Sequence, residues 1–165
     1  VYACGRCPYC KIVIPGLAEA IERGPLQNNV YLTFRLFPIR QHPGSKDAGL
    51  AFVAADRLGR FWPYAKLAYS QFDAFSSTQL HTWAKEAGLT AEAFETQMKD
   101  ATTLRMLIDS KKEGLRYGVE ATPTVFIDGR RYDGDLTLAE LIDVLGEMTD
   151  RKRGLIYLDT PSTTK

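Results

Sequence analysis

Apolar residues recur at helical spacing soon after the start of the chain. One face of this segment carries four of them, Ile14, Leu17, Ala18 and Ile21. Such spacing is typical of an amphipathic helix, and it predicts a helix over residues 7–23. Gly24 is the predicted left-handed cap, and Pro25 is the breaker that follows it. Pro15 lies inside the helix, where its missing backbone donor is expected to kink the axis.

Over residues 30–37 the pattern changes, and apolar residues occupy every second position, which predicts a strand. A long helical segment is predicted next, over residues 46–117. Ser45 is the predicted cap of its first helix, Trp62-Pro63 opens a short helix, and Thr90 caps a later one. Seven aromatic residues of this segment are predicted to form its core: Phe52, Phe61, Trp62, Tyr69, Phe72, Trp83 and Phe94.

Strand patterns return after the helical segment. Residues 124–127 and 130–132 flank Asp128-Gly129, a dipeptide favoured in two-residue hairpin turns. Thr137 has N-cap spacing before a closing amphipathic helix. Residues 155–158 are predicted to add an edge strand. The order is therefore strand, helix, strand, helical block, hairpin and helix, which indicates an α/β fold.

Composition narrows the class of protein. The chain has 165 residues, 45% of them hydrophobic, and a net charge of +1. These values fit one globular domain that can bury a core, and they lack the basic excess of a nucleic-acid binder. No apolar run approaches membrane-spanning length, and no signal peptide is recognisable. Only three strand residues precede the first cysteine, so we expect further sequence upstream of Val1.

All three cysteines, Cys4, Cys7 and Cys10, fall within seven positions. Such a cluster cannot staple distant parts of a fold, so it indicates chemistry or metal binding. Cys7-Pro8-Tyr9-Cys10 stands at the start of the predicted helix, where two thiols can close a reversible disulfide. Unpaired N–H groups and the helix dipole stabilise a thiolate at this position. Cys7 is therefore the candidate nucleophile.

Cys4 leaves an alternative open. The Cys4-x2-Cys7-x2-Cys10 spacing matches a bacterial ferredoxin run in which Ile14 replaces the fourth cysteine. An iron-sulfur cluster or a zinc ion would then need a fourth ligand from elsewhere. The histidines, His42 in a turn and His81 on a helix surface, are better explained without a metal. We therefore predict no metal, and Cys4 is either an inert strand residue or a third thiol that traps Cys7.

Thr122-Pro123 precedes the predicted hairpin. An X-Pro bond can adopt the cis form in a tight turn. If Pro123 is cis and faces Cys7, the Thr122 backbone is free to pair with an extended peptide, which would hold a substrate against the disulfide. The alternative is an ordinary loop proline that enters a strand.

These motifs resemble the thioredoxin superfamily. The resemblance rests on Cys7-Pro8-Tyr9-Cys10, on Pro15 in the helix that follows, and on residues 121–129 around Thr122-Pro123. Residues between 37 and 64 look like the helical insertion of its DsbA-like thiol:disulfide oxidoreductases. The resemblance implies an α/β thioredoxin fold with an inserted helical domain. Its divisions would be thioredoxin-fold residues 1–38, a helical insertion at 45–118, thioredoxin-fold residues 119–150 and a tail at 151–165.

The resemblance also implies roles for the site residues. Cys7 would form the mixed disulfide with a substrate, and Cys10 would resolve it. Pro123 would be the cis-proline beside them, with Thr122 in contact with substrate. These roles agree with the residues themselves, since a more exposed thiolate at the helix start reacts first and a thiol one turn further in resolves.

Three residues around the cysteines are expected to tune the Cys7 thiolate: Arg6, Pro8 and Tyr9. Tyr9 stands where the strongest oxidases of the family have histidine, so one donor to the thiolate is missing. Arg6 acts in the opposite direction if its charge reaches the thiolate.

The expected function is that of a disulfide donor to cysteines of protein substrates. It needs an unidentified redox partner and no organic cofactor. The resemblance places it in the periplasm or cell envelope rather than the cytosol. The alternatives are a reductase, a glutaredoxin-like dithiol protein and a non-catalytic peptide-binding chaperone.

Overall fold

The computed structural model describes residues 1–154 of the chain. The strand predicted at 155–158 lies outside the described residues. Seven α-helices are described: α1 Pro8–Glu22, α2 Ser45–Arg57, α3 Phe61–Ser70, α4 Ser77–Glu86, α5 Ala91–Lys99, α6 Ala101–Arg116 and α7 Leu138–Lys152. A 3-10 turn, Phe72–Ala74, separates α3 from α4. The described strands are β1 Tyr2–Ala3, β2 Arg35–Leu36, β3 Phe126–Ile127 and β4 Arg130–Arg131.

Strand β1 lies between two other extended segments. It pairs in parallel with β2, with Tyr2 opposite Arg35. On its other side Tyr2 forms an antiparallel bridge with Thr124. Strands β3 and β4 form a separate antiparallel hairpin. Because α1 follows β1 directly, this arrangement brings the start of α1 close to the segment that precedes Thr124.

The strand predicted over residues 30–37 is confirmed in its alternation as far as Leu36 and wrong in its extent, and Phe37, expected on the face of Tyr31, is buried. Tyr31 is exposed and Leu36 is buried, as the pattern requires. Only Arg35 and Leu36 form a ladder, since they lie opposite the two residues of β1. A strand is defined by its hydrogen-bonded partner as well as by its side-chain pattern.

Helix α1 matches the prediction closely at both ends. Cys7 is its N-cap, Arg23 is its C-cap and Pro15 lies inside it. The predicted left-handed cap at Gly24 is wrong, because Gly24 is absent from the residues with positive φ. A Cβ at Gly24 would lie 2.7 Å from the Cα of Ala20. Glycine is needed here for the close approach of two backbone segments.

The helix starts predicted in the helical segment are confirmed with one exception. The Thr90 hydroxyl accepts a hydrogen bond from the first turn of α5, as expected of a cap. Ser45 is not a cap. Gly44, with φ of 74°, precedes α2 and makes no side-chain cap. The Ser45 hydroxyl instead donates to the Ile39 carbonyl at 2.7 Å, because the loop before α2 folds back over the helix start.

Aromatic residues form the core of the helical segment, as predicted. The Phe52 ring lies at its centre, 5.6 Å between centroids from both Tyr64 and Tyr69. These rings belong to the same buried cluster as the three cysteines. The helical segment therefore covers the start of α1 on one side. Within residues 1–154, no helix has both the length and the apolar composition that crossing a membrane requires.

Candidate dithiol site

The three cysteines lie at the junction between β1 and α1. Cys4 follows β1, Cys7 caps α1 and Cys10 lies in its first turn. All three are free thiols with 0% exposure. The expectation that Cys7 is the more exposed of the pair is therefore wrong. The buried cluster of the helical segment encloses these thiols, so exposure does not distinguish them.

The two thiols differ in their acidity instead. Donation from the Cys10 thiol to the Cys7 thiolate, together with the Thr122 hydroxyl and the backbone N–H groups of Cys10 and Tyr9, lowers the pKa of Cys7 from 9.0 to about 5. Burial opposes this effect. Burial, together with the adjacent Cys7 sulfur, raises the pKa of Cys10 far above its ordinary value. At neutral pH the pair therefore carries a thiolate on Cys7 and a proton on Cys10.

Thr122 and Pro123 lie beside this pair. The Cys7 sulfur lies 3.1 Å from the Thr122 carbonyl oxygen, to which it donates when it is protonated, and the Thr122–Pro123 peptide bond is cis. The Thr122 hydroxyl is buried without a hydrogen-bond partner among the described residues. It lowers the pKa of Cys7, which is consistent with donation to the thiolate form. The structure thus brings together Cys7, Cys10 and Thr122, which are distant in sequence.

Arg6 lies elsewhere than the sequence suggested. Its guanidinium donates to the Phe72 carbonyl at 2.5 Å and lies 4.2 and 4.3 Å from the centres of the Phe72 and Phe75 rings. It is absent from the main causes of the Cys7 shift, whereas its charge lowers the pKa of Cys4. Arg6 therefore anchors the loop before α1 to the helical segment, and the geometry does not support direct tuning of the Cys7 thiolate.

Pro8 and Tyr9 form the outer side of the site. Pro8 is the first residue of α1 and is exposed. The Tyr9 side chain is 69% exposed, and its contribution to the Cys7 thiolate comes from the backbone N–H. Ile12, one turn further along, is also exposed. These three side chains form an apolar patch next to the buried thiols.

Sequence reasoning missed Tyr69 as part of the site. Its hydroxyl donates to the Cys4 carbonyl at 3.3 Å, and burial, with the charges of the three cysteines, raises its pKa. Tyr69 was predicted only as a core residue. No signal in the sequence links it to cysteines some 60 positions away, because the contact depends on how α3 packs on α1.

The metal alternative gains no support from this geometry. Within residues 1–154, no group of three or more histidine, cysteine and acidic residues is placed to hold a metal ion. His81 pairs with Glu95 at 2.5 Å on the surface of the helical segment. His42 lies in the turn before α2, as predicted.

The family assignment follows from comparison with known proteins. The thioredoxin family model matches residues 1–147. The chain belongs to the thioredoxin family. A thioredoxin-like oxidoreductase from Silicibacter pomeroyi is 24% identical, with a TM-score of 0.69 over 93% of this chain and 84% of that one. Pseudomonas aeruginosa DsbA is 16% identical, with a TM-score of 0.70 over 93% of this chain and 82% of its own. The fold is therefore a thioredoxin fold with a DsbA-like helical insertion.

A third solved structure is that of a Proteus mirabilis DsbA in complex with a non-covalently bound peptide. It is 14% identical and covers 90% of this chain and 86% of that one, with a TM-score of 0.68.

Curated relatives are much longer proteins. A Na⁺/H⁺ antiporter NhaA 1 from Mycolicibacterium gilvum is 29% identical over 143 residues, which are 85% of this chain and 23% of the antiporter. An antiporter NhaA from Herminiimonas arsenicoxydans is 29% identical over 121 residues, 73% of this chain and 19% of its own length. The chain thus spans about a quarter of the length of the curated relatives it matches.

Proposed function

We propose that this protein is a thiol:disulfide oxidoreductase that donates the Cys7–Cys10 disulfide to cysteines of protein substrates. The observation that carries the proposal is the opposite shift of two pKa values one helical turn apart. A pair with one stabilised thiolate and one protonated thiol is suited to thiol–disulfide exchange, because the thiolate is the reactive species and the better leaving group.

The exchange proceeds in two steps. A substrate thiolate attacks the Cys7 sulfur of the disulfide, and the Cys7–Cys10 bond breaks as the Cys7–substrate bond forms. Cys10 leaves as a thiolate and takes up a proton, which its raised pKa favours. A second substrate thiolate then attacks the substrate sulfur of the mixed disulfide. Cys7 leaves as a thiolate, and the substrate keeps the new disulfide.

The direction of disulfide exchange follows from the acidity of Cys7. A low pKa stabilises the dithiol form, so it favours release of the disulfide to a substrate. The value of about 5 lies between about 3.5 for DsbA and about 7 for thioredoxin. Tyr9, in place of a histidine donor, fits a position short of the most oxidising end. The proposal is therefore a donor rather than a reductase.

Protein substrates would enter as extended chains. The Thr122 segment lies next to the Cys7 sulfur, and Pro8, Tyr9 and Ile12 offer an exposed apolar surface beside it. The non-covalently bound peptide of the Proteus mirabilis DsbA supports a peptide as the substrate. Because Cys7 itself has no exposed surface, substrate binding must displace part of the cover over the sulfur.

The proposed location is the periplasm or cell envelope. Disulfides persist in that compartment. The curated relatives bear the name of a Na⁺/H⁺ antiporter, and an antiporter works in a membrane, which fits the cell envelope. The redox partner that restores the disulfide is part of this proposal and is not identified by the chain.

The test is the redox equilibrium of the Cys7/Cys10 pair with glutathione, read by thiol trapping. We expect a potential between about −180 and −120 mV; a value near −270 mV would make the protein a reductase. If the pair undergoes no two-electron exchange with glutathione, the proposed oxidoreductase function is wrong. A Cys7→Ala/Cys10→Ala variant is the matched control, since a peptide-binding chaperone would keep its function without either thiol.

A further inference from the structure

Cys4 is the third thiol of the site, and the exchange described above does not use it. We propose that Cys4 is a second internal partner of Cys7, so that one disulfide can move between Cys7–Cys10 and Cys4–Cys7. The inference rests on the proposed function and adds a second resolving residue to it.

The sequence places two overlapping C-x-x-C motifs around Cys7. Cys4-Gly5-Arg6-Cys7 precedes Cys7-Pro8-Tyr9-Cys10, and the two share the central cysteine. Residues 4–7 form a turn in which the Cys7 N–H donates to the Cys4 carbonyl at 3.1 Å. Turns of this type bring their end Cα atoms within about 7 Å. Disulfides span Cα distances of about 4.4 to 6.8 Å, so the turn fits a disulfide.

The sulfur of Cys4 is held on the inner side of that turn. The Arg6 N–H donates to the Cys4 sulfur at 3.4 Å. The charge of a Cys7 thiolate also raises the pKa of Cys4, as expected for two groups at the ends of one turn. Rotation about the Cα–Cβ bonds is then the movement that brings them into contact.

Burial restricts the partners of Cys4. All three cysteines have 0% exposure and belong to one cluster, and the chain has no others. Cys7 is the neighbour of Cys4 across the turn, so it is the internal partner that Cys4 can reach by side-chain rotation. Burial also raises the pKa of the Cys4 thiol, while the Arg6 charge and the N–H groups of Arg6 and Ile39 favour its thiolate.

The exchange balances without an added oxidant. In the mixed disulfide between Cys7 and a substrate, the Cys4 thiolate attacks the Cys7 sulfur. The Cys4–Cys7 bond forms, the Cys7–substrate bond breaks, and the substrate leaves as a thiolate that takes up the proton lost by Cys4. The Cys10 thiolate can then attack the Cys7 sulfur, which forms Cys7–Cys10 and returns the proton to Cys4.

The test uses a Cys10→Ser variant incubated with oxidised glutathione and quenched with acid. We expect an internal Cys4–Cys7 disulfide, seen as the loss of two hydrogens from the intact protein. Trypsin cleaves after Arg6, so this disulfide leaves residues 1–6 joined to residues 7–11. In the Cys4→Ala/Cys10→Ser variant, Cys7 should instead keep its glutathione adduct. The same adduct in both variants would overturn the inference.

Two controls separate this result from other failures. Incubation in denaturant measures how readily the bare C-x-x-C sequence closes, and the native Cys10→Ser variant should form more of the Cys4–Cys7 disulfide. Equal yields would contradict a role for the folded turn. Cys10→Ala repeats the test if serine disturbs the core. The Cys4→Ala variant should still form Cys7–Cys10, and its failure to do so would count against the proposed function rather than against the role of Cys4.

Discussion

The start of α1 differs from the starts of α4 to α7. Each of the four later helices has a side-chain oxygen that accepts a first-turn N–H, from Ser76, Thr90, Asp100 and Thr137 respectively. Helix α1 has Cys7 at the same position and no such cap bond. Its free N–H groups, at Tyr9 and Cys10, lower the pKa of the Cys7 thiol instead.

The same N-cap position stabilises a helix when it holds an oxygen and a thiolate when it holds a cysteine. An oxygen at the N-cap satisfies the first-turn donors in every state and stabilises the helix by about 1 kcal/mol. A thiol at the N-cap leaves those donors available until it ionises. The start of α1 is therefore less stable while Cys7 is protonated, and the first-turn N–H groups stabilise the thiolate once Cys7 has lost its proton.

The largest expected effect is on the pH dependence of stability. The pKa of Cys7 is lowered from 9.0 to about 5, so the unfolded chain binds more protons than the folded one between these values. The free energy of unfolding of the reduced protein should rise with pH in this range, by up to about 1.4 kcal/mol per pH unit. This contribution is lost as the pH falls through about 5.

The control for this experiment is Cys7→Ser, which keeps a helix cap and does not titrate. Denaturant unfolding of both reduced proteins at several pH values gives the difference. Above pH 9 the raised pKa values of Cys4 and Cys10 should lower stability in both. Parallel curves between pH 5 and 9 would show that Cys7 keeps an ordinary acidity.

The next effect concerns the Cys10 thiol, the largest single cause of the Cys7 shift. Cys10→Ala removes this donor and should raise the pKa of Cys7 to about 6 to 7, because a hydrogen bond to a charged group contributes about 1.5 to 3 kcal/mol. Cys10→Ser keeps a donor and should hold the pKa close to its original value. Thiolate absorbance against pH measures both, and equal shifts in the two variants would assign the effect to burial.

Replacing Arg6 tests whether a positive charge near the start of α1 is enough to lower the pKa of Cys7. Arg6→Met removes the bond to the Phe72 carbonyl and the contacts with two rings, and should lower stability by about 2 kcal/mol. The pKa of Cys7 should not change, since Arg6 acts on Cys4. Lys11→Met is the matched control, because Lys11 lies over the same Phe72 ring at 4.6 Å and on the surface. A rise in the Cys7 pKa in Arg6→Met alone would restore direct tuning by Arg6.

The smallest effect lies at an ordinary helix start. Thr90→Ala removes the cap of α5 and should cost about 1 kcal/mol of stability. It should leave the pKa of Cys7 unchanged, while Thr90→Ser should recover most of the lost stability. A change in Cys7 acidity would mean that the two helix starts are coupled through the core.

Elements decided by neighbouring residues could be predicted from the sequence. Thr90 and Thr137 cap the predicted helices. Asp128 and Gly129 both have positive φ, as a two-residue hairpin turn requires. The pairing of Cys7 with the Thr122 segment came from the family resemblance, which supplied a contact across 115 positions that periodicity could not give.

Features that depend on packing could not be predicted. The extent of β2 depends on how many β1 residues lie opposite it. The burial of Cys7 depends on helices contributed by the inserted segment. Arg6 lies beside Cys7 in sequence, yet its side chain is drawn to aromatic rings more than 60 positions away. In each case the sequence specified the residue type, and the tertiary contact decided its role.

The central claim is that the start of α1 stabilises a thiolate on Cys7. The most direct test is the pKa of Cys7 in the reduced protein, from thiolate absorbance against pH with Cys7→Ser as the blank. We expect a titration near pH 5, where the blank shows none. A value close to 9 would contradict the account, because Cys7 would then have the ordinary acidity of a cysteine and the start of α1 would not stabilise its thiolate.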